Sequence, residues 1–577
     1  MNRNNQALFI TLIAIFAVML IRLVQLQLIE GSQYHEIALK NAAKNIPAAA
    51  PRGVIYDRDG KVVVDNRPIF SVEVLPQLLT GDPAKRDRVL GKLGQVLGEK
   101  IDFKVSAQQP IIVRENISLP TAIKIEEMKD ELEGVLVKSR PIRFYPYSSA
   151  AAHLLGYVGE IAARELENYS QRGYRRGDVI GKDGVERYYD QLVRGIDGGK
   201  QVEVNVYGEP IRILSTMDPI AGANISLTID TQLQEALERA LGAKAGAAIV
   251  TDPNTGQLLA LSSHPNYDPN LFIGQLDMNK WEKLARGRHP FMNRALAIYP
   301  PGSIFKVVTL IAALEEGITK PNEPFYCPGY YKINDRIAKC WKESGHGQIT
   351  AEEGLVQSCD VVFYELGRRL GPEKIAKYAR LFGLGDRTGI DLPQEKRGLV
   401  PDTEWKKKIF GEQWYDGDSI NYAIGQGFLQ VTPIQMAGIY GAIATGKRMR
   451  PYVVKQITKR NGEVVYQPEN PELGPLPFKS ENLAVVRRAL VNVVDRATGR
   501  VAKIEDFPAA GKTGTAQTPG LPHAWFLCYA PVDQPRIVVA AFVEHGEHGD
   551  RAAASVARDI LAWYKEHRIK DDFDKAE

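Results

Sequence analysis

Residues Ala7 to Ile21, ALFITLIAIFAVMLI, carry no charge, and the apolar character continues past Arg22 to Leu28. At 1.5 Å rise per residue this run meets the roughly 20 residues that cross a bilayer, with Arg22 reaching back to the interface. No small-x-small cleavage pattern follows it; the chain turns polar at EGSQYHEIALKNAAKN. The pattern predicts an uncleaved signal anchor over residues 7–28 behind a tail of residues 1–6, with Arg3 holding the tail inside and the bulk exported. No second run reaches membrane length, so the reading is a single-pass protein.

Beyond the anchor the periodicities change. PRGVIYDRDGKVVVDN, Pro51 to Asn66, alternates apolar and polar residues about Asp59-Gly60 and predicts a β-hairpin. Residues 83–222 mix short strands with helices such as TAIKIEEMKDELEG, without repeats or a catalytic constellation, which predicts an interaction or spacer module over 29–222. From Asn224 the chain reads as strand NISLTID, helix TQLQEALERAL and the strand pair AGAAIVTDP and GQLLALSSHP. Near the carboxyl end come three more strands, AAGKTGTAQ, HAWFLCYAP and RIVVAAFVEHG, and then the amphipathic helix RAAASVARDILAWYKEH. Strands at both ends of 223–577 with helical material between them predict an α+β domain, an antiparallel sheet closed by its terminal segments and flanked by helices.

Composition narrows the function class. With 577 residues, 44% hydrophobic and 25% charged, the chain buries more than one core and shows no sign of disorder. The 73 basic and 69 acidic residues leave a net charge of +4, too little excess for a nucleic-acid partner.

Three short motifs carry candidate chemistry. In PPGSIFKVVTLIAALEEG, Ser303 reads either as a helix cap or as a nucleophile, and Lys306 favours the latter because i and i+3 share a helix face. A serine hydroxyl needs an adjacent base, which a partly desolvated lysine supplies, and a helix amino terminus favours an oxyanion. No other serine in the chain has a lysine three positions on. In GLVQSCDVVFYELG, Ser358 and Asp360 add a second hydroxyl and a carboxylate. In AAGKTGTAQ, Lys512, Thr513, Gly514 and Thr515 fall on a predicted strand whose glycine admits a substrate backbone; Thr515 N–H and Ser303 N–H are the expected oxyanion donors.

Ser-x-x-Lys, Ser-x-Asp and Lys-Thr-Gly in this order resemble the penicillin-binding proteins, the serine acyl-transferases that cross-link peptidoglycan. RGVIYDRDG and GKDGVERYYDQLVRG are similar to pedestal motifs of the monofunctional class B members. The Ser-x-Asp form, GKTGTAQ and HAWFLCYAPVDQPRIVVAAFVEHG look like the penicillin-binding protein 2 group, which acts in cell elongation. The resemblance implies that Ser303 is acylated by the D-alanyl-D-alanine end of a stem peptide with Lys306 as base. It implies that Ser358 relays a proton to the departing D-alanine, that Lys512 and Thr513 hold the terminal carboxylate, and that β-lactams acylate the same serine. Many members have asparagine where this chain has Asp360; an ionised carboxylate only accepts hydrogen bonds, so Asp360 is expected to orient Lys306 or Ser358 instead. No organic cofactor is implied. The implied partners are stem peptides, β-lactams and a polytopic membrane glycan polymerase, with the anchor in the inner membrane and the catalytic domain on its outer side.

Three of the four cysteines fall close together as C-x12-C-x5-H-x12-C: Cys327, Cys340, His346 and Cys359. This is a Cys3His set for structural zinc; the other reading is a Cys327–Cys340 disulfide, suited to the oxidising exported side, with Cys359 a small buried residue. Similar metal-ligand clusters in penicillin-binding protein 2 relatives favour zinc. Cys528, in WFLCYA, reads as core. If the cluster binds metal, Cys359 turns away from the cleft that Ser358 and Asp360 face.

The motifs leave a D,D-carboxypeptidase open, since it differs only in whether water or an amine takes the acyl group. A β-lactamase is expected to be short and soluble. A penicillin sensor or scaffold is expected to have several spans or a cytoplasmic output domain.

Overall fold

The structure is a computed structural model and describes residues 3–32, 43–76, 79, 82–101, 111–204, 210–273, 278–333 and 335–569. Its first helix, Arg3–Val24, runs on through the turn Gln25–Ile29, and Phe9–Ile29 is long and apolar enough to cross a membrane. The predicted tail is therefore helical from Arg3, and residues 1 and 2 lie outside the described residues.

The chain divides into two compact units, one comprising 1–52, 67–142 and 195–222, the other 53–66, 143–194 and 223–577. The sequence reading put one boundary near 222; the structure also assigns 53–66 and 143–194 to the unit that holds the C-terminal region. The reason is long-range pairing. The hairpin about Gly60 forms as its alternation predicts, with Ile55 opposite Val64 and Tyr56 opposite Val62, and Gly60 takes φ +86° in its turn. Ile55 then pairs in parallel with Ile225, and no local signal encodes that register.

The smaller unit packs helices Pro83–Leu97 and Leu119–Glu127 against strand Ile111–Ile117 and its neighbours around Val72, Val89, Leu93, Ile117 and Ile125. It also contains the antiparallel sheet of Ala43–Ala48, Gly198–Val204 and Pro210–Met217.

The larger unit is built on a five-stranded antiparallel sheet. Its order is Leu258–His264, Gly246–Thr251, Ile537–Val543, His523–Ala530, Ala510–Ala516. The three inner strands are buried on both faces, and alternate residues divide between two cores. Ala248, Val250, Phe526, Val539 and Ala541 meet helices Thr231–Leu241 and Ala554–Tyr564. Ile249, Trp525, Leu527, Ala540 and Phe542 face the larger core, with helices Lys306–Glu315 and Pro433–Thr445. The result is three layers, helix, sheet, helix, with the candidate motifs on the second face.

Candidate active site

The sequence PPGSIFK begins a single turn of 3-10 helix, Gly302–Phe305, and the α-helix proper starts only at Lys306. Ser303 is half-buried in that turn, and its carbonyl accepts the Lys306 N–H. The expectation that Lys306 reaches the Ser303 hydroxyl is not met: among the described residues Ser303 Oγ makes no hydrogen bond, and Lys306 Nζ turns to the second motif. It donates to Ser358 O at 2.9 Å and to Asp360 Oδ1 at 2.8 Å, with Ser358 Oγ at 3.4 Å. The Lys306 side chain is fully buried and its Nζ also lies over the Phe363 ring.

The second motif is shaped for this contact. Ser358 adopts φ +54°, a left-handed conformation that costs a non-glycine residue on the order of 1–3 kcal/mol and is concentrated at functional sites. Cys359 occupies the cap position of helix Asp360–Leu381 but makes no capping bond, and Asp360 opens the first turn, where the helix dipole favours a carboxylate. Its Oδ2 accepts the Trp341 backbone N–H at 2.9 Å. Asp360 thus meets Lys306, one of the two partners expected for it.

The strand Ala510–Ala516 is the edge of the sheet and packs on the Ser303 turn. A Cβ on Gly302 would stand 2.8 Å from Thr515 O, and one on Gly514 would stand 3.1 Å from Pro301 O, so both glycines are needed for this close approach. The turn is held from its other side by Gly302 N–H donating to Gly425 O and by the Tyr440 hydroxyl donating to Ile304 O. Lys512 is fully buried, with Nζ donating to Thr513 O at 3.0 Å. Burial, then repulsion from Lys306, holds its pKa well below the ordinary lysine value. Thr513 is buried and shares a 2.7 Å hydroxyl contact with Thr498; Thr515 is exposed on the edge strand. Ser303, Lys306, Ser358 and Asp360 are therefore brought beside the strand that carries Lys512, Thr513, Gly514 and Thr515.

The cysteine cluster is also assembled. One ligand atom each from Cys327, Cys340, His346 and Cys359 lie within 4.8 Å of one another, and none of the cysteines is disulfide-bonded. His346 Nδ1 is 3.5 Å from Cys327 Sγ and 3.6 Å from Cys340 Sγ. Ligands about 2.0–2.3 Å from a tetrahedral zinc are themselves roughly 3.6 Å apart, so the donor set fits that ion. The hydrogen bond between the two thiols lowers the pKa of Cys340 and raises that of Cys359. Cys528 is fully buried in the sheet.

Trp341, Thr498 and Tyr440 escaped the sequence reading. Only Trp341 carried a usable signal, as it follows Cys340 directly and any fold of the cluster places it beside Cys359-Asp360.

Comparison with known proteins agrees with this geometry. Residues 246–562 match the family described as penicillin-binding protein transpeptidase domain, and 47–227 match the penicillin-binding protein dimerisation domain. The peptidoglycan D,D-transpeptidase MrdA of Acinetobacter baumannii is 31% identical over 95% of this chain and 85% of its own. The structure of Helicobacter pylori penicillin-binding protein 2 in complex with MreC is 28% identical at TM-score 0.78, covering 91% of this chain and all of that one. A peptidoglycan synthase complex that coordinates polymerization and crosslinking contains a chain 30% identical at TM-score 0.74, covering 98% of this chain and 99% of that one. The order of the motifs, the sheet that carries them and similarity over nearly the whole chain together place it among the class B penicillin-binding proteins, in the group of penicillin-binding protein 2.

Proposed function

We propose that this chain is a peptidoglycan D,D-transpeptidase that works through a Ser303 acyl-enzyme. The observation that carries the reading is the convergence on Lys306 Nζ of Ser358 O, Ser358 Oγ and Asp360 Oδ1, beside the Ser303 turn. Two N–H directions of Nζ are committed to Ser358 O and Asp360 Oδ1, which leaves its third position for a proton. Ser303 Oγ attacks the carbonyl carbon of the penultimate D-alanine, the C–N bond to the last D-alanine breaks, and an ester to Ser303 forms. The proton from Ser303 passes by way of Lys306 and Ser358 to the departing amine. An amine of a neighbouring stem peptide then attacks the ester, returning the proton by the reverse path.

The edge strand Ala510–Ala516 offers its free backbone side to an extended peptide, as in β-strand addition. Lys512 and Thr513 hold the terminal carboxylate, and the incoming negative charge supplies the partner that burial withholds from Lys512. Ser303 N–H and Thr515 N–H are assigned to the oxyanion.

Zinc is the proposed occupant of Cys327, Cys340, His346 and Cys359. A closed tetrahedral ion there supplies structural cross-linking, not chemistry on substrate. What it holds is the segment Cys340-Trp341, whose amide fixes Asp360. The relatives' complexes with MreC and within a polymerizing synthase support an elongation-type assembly, with the apolar helix as membrane anchor and the cleft on the exported side.

Labelling by a fluorescent penicillin with peptide mapping tests the mechanism. Wild type is expected to label on the peptide containing Ser303 and Ser303→Ala not at all; a labelled Ser303→Ala protein overturns the assignment.

A further inference from the structure

A second cavity, of about 230 Å³, lies between helix Pro433–Thr445, the loop around Arg387, the turn at Asp252 and strand Lys447–Met449. None of the catalytic residues lines it. One wall is apolar, with Phe382, Ile434 and Leu473; the other charges are cationic in balance.

The charge accounting is specific. Arg380 is paired with Asp402, and Asp386 with Arg397. Asp252 is spent on its own turn, accepting from Asn254 and the Thr255 hydroxyl. Among the described residues this leaves Arg387 and Arg448 without an ion pair or side-chain hydrogen bond. Two guanidinium groups that line one cavity without a carboxylate partner leave it with an uncompensated positive charge. Helix Pro433–Thr445 presents Gly438 to the same space. Glycine weakens a helix interior, and a Cβ there would meet nothing within 4 Å, so packing does not demand it; its effect is to keep the cavity open.

We infer that this cavity is a binding site for a compact organic anion, a carboxylate or phosphate joined to a small apolar group. The guanidinium fork of Arg448, with Arg387 at the rim, takes the anionic head, and the wall of Phe382, Ile434 and Leu473 takes the apolar body. The volume, just below the roughly 300–1,000 Å³ of drug-sized sites, suits such a small molecule. The helix that forms the wall also carries Tyr440, about 200° round from Gly438, whose hydroxyl holds Ile304 O next to Ser303. The site is thus distinct from the cleft but rests on one of its supports.

Isothermal titration of the full-length protein with phenyl phosphate, benzoate and neutral benzamide tests the inference. Phenyl phosphate or benzoate is expected to bind and benzamide not; the tighter anion identifies phosphate or carboxylate as the natural head group. Arg448→Met and Arg387→Ala should each weaken binding about tenfold, Gly438→Leu should abolish it, and Ser303→Ala should leave it unchanged. Penicillin labelling of the cavity variants reports that they are folded. Failure of both anions to bind, or binding unaffected by the folded Arg387→Ala and Gly438→Leu variants, overturns the site.

Discussion

Lys306 Nζ lies 2.8 Å from Asp360 Oδ1, and the same carboxylate accepts the Trp341 amide on its other oxygen. Two segments distant in sequence are thus held to Lys306 by one side chain. Asp360→Ala is expected to slow penicillin acylation about a hundredfold, because Lys306 loses the acceptor that fixes it. Asp360→Asn keeps one acceptor oxygen but puts a donor against either Lys306 or the Trp341 amide, so the expected loss is nearer tenfold. Stopped-flow acylation rates decide this; wild-type rates in both variants would remove the pair from the machinery.

The neighbouring Cys359 points into the cysteine cluster, so its replacement tests the proposed zinc site without touching a reacting atom. Wild-type protein purified without chelator is expected to contain about one zinc per chain and Cys359→Ser far less. Because Cys340 and Trp341 are adjacent, loss of the ion should also slow acylation about tenfold while every reacting atom is retained. Elemental analysis and acylation are read on the same samples. A full zinc complement or an unchanged rate in Cys359→Ser refutes the link.

The contrast between Ser303 and Lys306 shows what was legible in the chain. Residue type and short spacing carried the three motifs and the cysteine cluster, and alternation carried the strands Ala510–Ala516, His523–Ala530 and Ile537–Val543. Spacing also placed Lys306 near Ser303, but it could not say that the amine turns to Ser358 and Asp360. That choice depends on the left-handed backbone at Ser358 and on a helix that begins three residues late, both consequences of packing. The pairing of Ile55 with Ile225, which draws 53–66 into the catalytic unit, was equally hidden, since register between remote strands leaves no periodic trace.

The GKDGVERYYDQ motif acquires a physical reason in Glu186, which is completely buried and bonded to Arg143 Nε at 2.5 Å. Arg143 also donates to Gly53 O. Removing one partner leaves an uncompensated buried charge, so Glu186→Ala is expected to cost about 3–5 kcal/mol. Denaturant unfolding of the full-length protein measures it; a cost below about 1 kcal/mol contradicts the burial of the pair.

Burial, the largest influence on His153, drives its pKa from the ordinary 6.5 down to about 4, although its Nε2 hydrogen-bonds Pro290 O. The folded state therefore binds this proton less readily than the unfolded chain. Stability falls as pH drops below 6.5 and levels off below about 4, a loss of about 3 kcal/mol at roughly 1.4 kcal/mol per pH unit. His153→Gln keeps a donor for Pro290 and lacks the titration. Thermal melts between pH 7 and pH 4 should fall less steeply in the variant than in wild type; equal slopes assign the acid sensitivity elsewhere.

Lys512 poses the sharpest conflict between stability and function. Burial lowers its pKa well below the lysine norm and repulsion from Lys306 adds to this, while Asp360 alone opposes it. An unfolded lysine stays protonated up to about 10.4, so at neutral pH the folded state gives up a proton or buries a poorly compensated charge. Either way the lysine is a cost that shrinks as pH rises toward 10.4, because the unfolded state binds the extra proton. Lys512→Met fits the same buried strand without a charge and is expected to stabilise the protein by about 1–2 kcal/mol at pH 7, with a smaller advantage at pH 10. The same variant removes the only buried cation on the edge strand that a substrate carboxylate can meet, so acylation should fall by about a hundredfold or more. Melting temperatures at the two pH values, read beside penicillin labelling, test both halves. A destabilised Lys512→Met would mean that Asp360 compensates the ammonium. A variant that is stabilised yet still acylates at the wild-type rate would remove Lys512 from carboxylate recognition.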